Sequence, residues 1–144
     1  MFFGSYEYNI DDKGRIVIPS KMRSDIGTKL FLIKGFDGCI SIYKEEQFIA
    51  YVQKIQDLPY EKGKVRAYSR SLLSSVVELT IDKQWRLLVP KKTLEEYKIE
   101  NKVMIIGQYD HIEIWDLARW NEYKEKSNEE FEINAEGLLE LNEN

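Results

Sequence analysis

Apolar and polar positions alternate along residues 5–10 and 15–18 and break between them at Asp11-Asp12-Lys13-Gly14. That pattern predicts two short strands around a hairpin turn whose glycine supplies a positive φ. Pro19 suits a helix start, where its missing N–H costs nothing, and the helix predicted over 20–26 ends at Gly27. Apolar runs at 30–33 and 39–43 flank the glycine-bracketed stretch 34–38 and read as a second hairpin. One unit of ββαββ results. Phe48, Ile49, Val52 and Ile55 recur at helical spacing over 45–55, a helix ended by Leu58-Pro59; Val65, Tyr68 and Leu72 line another over 62–73. The alternation then returns, with strands near 76–81 and 86–89, a helix over 90–97, strands near 103–107 and 111–115, and a helix over 117–126. After Ser127 few residues can anchor the chain, and a mobile tail is expected.

The second half repeats the first. Asp11-Asp12-Lys13-Gly14-Arg15-Ile16-Val17-Ile18-Pro19 returns as Asp82-Lys83-Gln84-Trp85-Arg86-Leu87-Leu88-Val89-Pro90, with Asp, Arg, three apolar residues and Pro in register. Glu7 and Ile10 match Glu78 and Ile81 upstream; Gly35, Ile40, Ile42 and Tyr43 match Gly107, Ile112, Ile114 and Trp115 downstream after a one-residue slip. Each copy is small for an independent core, so the two are expected to bury their apolar faces together. The organisation read from this is repeat one over 5–47, a helical connector over 48–75, repeat two over 76–119, and a helix end with an acidic tail over 120–144.

With 144 residues, 43% apolar and 32% charged, the chain has the composition of a soluble globular protein. No basic leader or long apolar run is present, which predicts a protein neither exported nor inserted in a membrane. Single Cys39 and His111 exclude an intrachain disulfide and the usual thiolate and imidazole zinc site, and a reducing cytoplasm fits. The net charge of −4 is unevenly spread. Residues 1–72 carry 12 Lys plus Arg against 9 Asp plus Glu, whereas 124–144 alone hold seven Glu against two Lys. A basic face on the nearly neutral remainder can therefore still meet an anionic partner.

Enzymatic readings fail on inventory: there is no Gly-rich phosphate loop, no dinucleotide fingerprint and no second histidine for a relay. Asp11 and Asp82 stand where Asp side chains cap turns rather than act as an acid–base pair. No catalytic residue, cofactor, metal or small-molecule substrate is expected. For a single copy of the motif a purely structural reading suffices, in which Asp caps the turn, Gly makes it and Arg pairs with a nearby carboxylate. Two copies in register would also present two arginines on equivalent strands, as suits the repeating charge of a duplex.

The doubled motif resembles the swapped-hairpin barrels of the AbrB type, and within them the MraZ family, over about residues 1–126. The resemblance implies a mainly β, α+β fold, a pseudo-symmetric swapped-hairpin β-barrel built from two ββαββ repeats with flanking helices. It also implies a ring-like homo-oligomer and a nucleoid-associated transcriptional regulator binding double-stranded DNA at direct repeats in the promoter of the division and cell-wall gene cluster. Carried onto this chain, the DNA-binding residues are Arg15, Lys13, Lys21, Arg23, Arg86 and Lys83, with Asp11, Gly14, Pro19, Asp82, Trp85 and Pro90 as the structural motif. Trp85 departs from the pattern, which expects a small residue there. A left-handed tryptophan costs about 1–2 kcal/mol, so a changed turn is expected, with Arg86 presented differently from Arg15 and the first half as the main reader. Two rivals stay open: a non-enzymatic ring scaffold for protein partners, and an antitoxin-type DNA-binding protein. Lys62, Lys64, Arg66 and Arg70 read as a solvated helix face or an intersubunit charge surface, His111 as a turn or strand-edge residue, and Cys39 as core.

Overall fold

Period-two patterning in both halves yields eight strands, and the two helical stretches between and after them yield long helices, in a computed structural model that describes residues 1–142. Repeat one comprises β1 (Ser5–Asn9), β2 (Arg15–Val17), a 3-10 turn at Ser20–Met22 leading into α1 (Arg23–Ile26), β3 (Lys29–Lys34) and β4 (Ile40–Lys44). The connector holds α2 (Glu45–Gln56) and α3 (Gly63–Ser74). Repeat two follows with β5 (Val77–Thr80), β6 (Arg86–Leu88), α4 (Lys91–Glu96), β7 (Lys102–Gly107) and β8 (His111–Asp116), and then α5 (Leu117–Glu129) and α6 (Phe131–Asn142). Each ββαββ order is as the alternation predicts.

Strand partners are chosen across the repeats. The turn after β1 does not make a local hairpin: β1 pairs with β7, its counterpart β5 pairs with β3, and β2 pairs with β6, all antiparallel. A six-stranded sheet of order β1-β7-β8-β4-β3-β5 and a two-stranded ribbon β2-β6 result. The expected barrel does not close among the described residues. Only an isolated bridge, Ile81 to Leu87, ties the sheet edge at β5 to the ribbon, and β2 and β6, three residues each, use their pairing on one another.

Burial explains the layering. Leu30, Leu32, Ile40, Ile42, Val103, Ile105, Ile112 and Ile114 line one face of the sheet, where they meet Ile16 and Ile18 with Leu87 and Val89 from the ribbon and Met22, Ile26 and Leu94 from the short helices. The opposite face is covered by helices. Ile33 and Tyr43 pack with Ile55 of α2 and Leu72 of α3, while Cys39, Ile106 and Trp115 pack with Trp120 of α5.

Two further expectations are corrected. The helix predicted to end at Lys126 runs on: α5 reaches Glu129 and α6 follows after a single residue, so the described part of the expected tail is mostly helical, while residues 143–144 lie outside the described residues. Glu, Leu and Ala are good helix formers, and the tail's apolar residues fall on helical spacing rather than serving as anchors to the body. The downstream alignment also shifts. Lys34 faces Ile40 as Gly107 faces Ile112, so Gly107 is the counterpart of Lys34, not of Gly35. The second-repeat loop is one residue shorter, which displaced the match read from sequence.

Candidate nucleic-acid interface

Each copy of the motif builds the same turn. In the first, the Asp11 carbonyl accepts from the Gly14 N–H at 3.1 Å, and Asp11 Oδ1 accepts from the backbone N–H groups of Lys13 and Arg15 at 3.0 and 2.8 Å. In the second, the Asp82 carbonyl accepts from Trp85 at 3.1 Å, and Oδ1 accepts from Gln84 and Arg86 at 2.8 and 2.9 Å. The other carboxylate oxygen holds the arginine Nε, 2.5 Å away in Arg15 and 2.8 Å in Arg86. Asp thus shapes the turn and aims the guanidinium that leaves it. The Arg15 N–H, aided by its side chain, holds the Asp11 carboxyl down to about 2. At Asp82 desolvation opposes the shift, yet the bonds from Arg86 still keep the group below the usual carboxylate range.

The expected change of turn at Trp85 does not occur. Trp85 keeps a left-handed backbone, φ 60°, like Gly14 at φ 84°. The strain of about 1–2 kcal/mol is tolerated because the Asp82 bonds over-determine the loop and because the indole gains a partner. The Arg23 guanidinium lies 5.6 Å from the ring centre, a cation–π contact worth about 0.5–1 kcal/mol at an exposed site, while Arg23 Nε donates to the Ile18 carbonyl at 3.0 Å. Arg86 is accordingly presented as Arg15 is.

The ribbon brings the two arginines together. Arg15 stands opposite Leu88, Ile16 opposite Leu87 and Val17 opposite Arg86. Since Ile16 and Leu87 are wholly buried, alternation turns Arg15, Val17, Arg86 and Leu88 to the outer face. The arginines are diagonal neighbours, about 7–8 Å apart at their bases. Their side chains are 29% and 26% exposed, and among the described residues neither makes a hydrogen bond through its Nη groups. Lys13 and Lys83 are exposed on the two turns, and Lys21 is exposed in the 3-10 turn behind them; none of the three forms an ion pair among the described residues. Pro19 and Pro90 cap the short helices with nearly identical backbone angles, φ −54° and −57°.

Sequence reading missed Leu88, which is 56% exposed between the arginines. The signal was available: the middle residue of an apolar triplet in a strand faces away from its neighbours. Residues read as bland lie elsewhere. Cys39 is buried with its thiol pushed up, by desolvation above all, and His111 begins β8, stacked 4.5 Å from Tyr43 and bonded to Asp110 at 2.7 Å. The basic residues of α3 belong to the helix layer on the far side of the sheet.

A family model described as "MraZ protein, putative antitoxin-like" matches the chain twice, over residues 1–71 and 72–141. The chain is similar to the Transcriptional regulator MraZ of Thermoanaerobacter sp. (strain X514), 42% identical over 142 residues that make up 99% of each chain. It is 39% identical over 142 residues to the protein of that name from Caldanaerobacter subterraneus subsp. tengcongensis, again over 99% of both. With that of Moorella thermoacetica it shares 33% identity over 141 residues, 98% of this chain and 99% of the other.

Proposed function

Because the chain belongs to the MraZ family, we propose that it is a non-enzymatic, DNA-binding transcriptional regulator of the cytoplasm and nucleoid, acting on direct repeats in the promoter of the division and cell-wall gene cluster as a homo-oligomer. The observation that carries the reading is the ribbon. Arg15 and Arg86 come from different repeats, share one outer face, and are each oriented by an aspartate that leaves the far edge of the guanidinium unengaged. A two-stranded ribbon fits the major groove, which is roughly 12 Å wide, and an arginine reads guanine O6 and N7 with two hydrogen bonds. Their separation is near two base-pair rises, so both can read at once. Lys13, Lys83 and Lys21 flank the ribbon and hold phosphates, which position the protein without specifying sequence. Arg23 supports the site by clamping the Trp85 turn. Several such ribbons on successive repeats raise affinity through effective concentration.

Fluorescence anisotropy with the duplex upstream of the protein's own gene tests this. Arg15→Ala and Arg86→Ala are each expected to weaken binding by about 1–3 kcal/mol and to reduce discrimination against a scrambled duplex. Lys13→Ala is expected to weaken both duplexes alike and lower the salt slope by roughly 0.9. Unchanged affinity in both arginine variants would remove the ribbon from the interface.

A further inference from the structure

On the outer face of the ribbon each arginine is paired with an aliphatic residue from the other repeat. The Val89 N–H donates to the Gly14 carbonyl at 3.0 Å and the Ile18 N–H to the Trp85 carbonyl at 2.8 Å, which fixes the register at both ends. Arg15 opposite Leu88 and Val17 opposite Arg86 are then the pairs without mutual backbone hydrogen bonds. In such pairs the facing side chains stand closest, with Cβ atoms about 4.5–5.5 Å apart.

The repeat symmetry equates Val17 with Leu88, and here it fails. Val17 is half-buried, whereas Leu88 is exposed. A single exposed leucine is ordinary on a protein surface. This one stands across the ribbon from one guanidinium and two residues along the strand from the other, where leucine brings no special strand preference and a polar residue would serve the fold as well. Outside the two Asp–Arg pairs, Lys13, Lys21 and Lys83 stand exposed against Asp12. The face therefore offers cations and one projecting apolar group together.

We propose that Leu88 contacts the 5-methyl group of a thymine in the major groove, on a base pair adjoining the one that Arg15 reads. The proposal rests on the DNA-binding reading above and adds a specificity-determining residue to it. The thymine methyl is the apolar feature of the major-groove pattern, and an apolar side chain recognises it by contact. The spacing suits, because the Cβ separation within the pair is more than one base-pair rise of about 3.4 Å and less than two. The reach suits as well. Asp11 holds the Arg15 Nε and keeps the guanidinium close to its own turn, so the ribbon must approach the base edges for that arginine to read them, which brings a side chain as short as leucine within range. Since Val17 does not match Leu88, the methyl is read on one side of the pseudo-dyad alone. A single ribbon then reads its site in one orientation, as suits direct rather than inverted repeats.

Fluorescence anisotropy of the full chain with two duplexes tests this: the sequence upstream of the protein's own gene, and the same sequence with every thymine replaced by deoxyuridine, which lacks only that methyl. Wild type is expected to bind the thymine duplex more tightly by about fourfold for each ribbon engaged, the worth of one buried methyl. Leu88→Ala, with unchanged far-UV circular dichroism, is expected to weaken binding to the thymine duplex and to bring the two affinities together, while Val17→Ala is expected to keep the wild-type ratio. Equal wild-type affinities for the two duplexes, both still preferred over a scrambled one, overturn the methyl contact without recourse to any variant and leave the DNA-binding reading standing. A wild-type ratio that persists in Leu88→Ala, or that Val17→Ala abolishes, assigns the methyl to another residue and overturns the role of Leu88. A wild type that binds neither duplex better than a scrambled one overturns both readings.

Discussion

Gly14 and Trp85 occupy equivalent corners, and the same left-handed backbone is met by opposite residues. A Cβ added to Gly14 would come within 2.7 Å of the Val89 carbonyl oxygen, so Gly14→Ala combines backbone strain with a close contact. A loss of about 1–3 kcal/mol in urea unfolding is expected, larger than the cost of Gly→Ala at an unstrained turn. The aspartates of the same turns couple stability to acid. An unfolded Asp11 carboxyl takes up its proton near 3.8, whereas the folded one stays ionised until about 2. The unfolded state therefore binds the proton first, and the contribution, complete above about pH 4, is lost as the pH falls through that window. In Asp11→Asn the thermal midpoint should be lower at pH 6 and should fall less steeply than wild type between pH 4 and 2.

At the scale of elements, the ribbon is where the repeats are joined and the arginines aimed. Ile16 and Leu87 face each other across β2 and β6 with no exposure at all. Ile16→Ala is expected to cost about 2–5 kcal/mol and, because the ribbon belongs to both repeats, to move the single unfolding transition as a whole rather than split it. Coincident shifts in fluorescence and far-UV circular dichroism check this. The strands, the short helices after Pro19 and Pro90, and the connector helices were legible because each has local periodicity and punctuation. The partners of β1 and β2 were not, since a turn after a strand reads as a hairpin whether or not its arms pair with each other. Helix α6 escaped notice for a related reason: its apolar side touches little of its own chain, so it read as unanchored.

For the molecule as a whole, the exchange of strands means that neither half supplies a complete sheet. Residues 1–71 alone would leave β1 and β2 without β7 and β6, and would expose Leu30, Leu32, Ile40 and Ile42. This fragment is expected to give no folded monomer, appearing in sedimentation and circular dichroism as an unfolded chain or as a self-paired dimer in which two copies replace the two repeats. The doubled Asp-to-Pro motif, the ββαββ order, the apolar triplets and the acidic end are properties of the sequence itself, because they depend on spacing and side-chain type within a few residues. Which strand meets which, that no barrel closes among the described residues, that Trp85 keeps the glycine-like turn, and that Arg15 and Arg86 share one face were decided by tertiary structure. Those outcomes depend on competition among distant partners for the same backbone hydrogen bonds and apolar surface, and no local pattern records who wins.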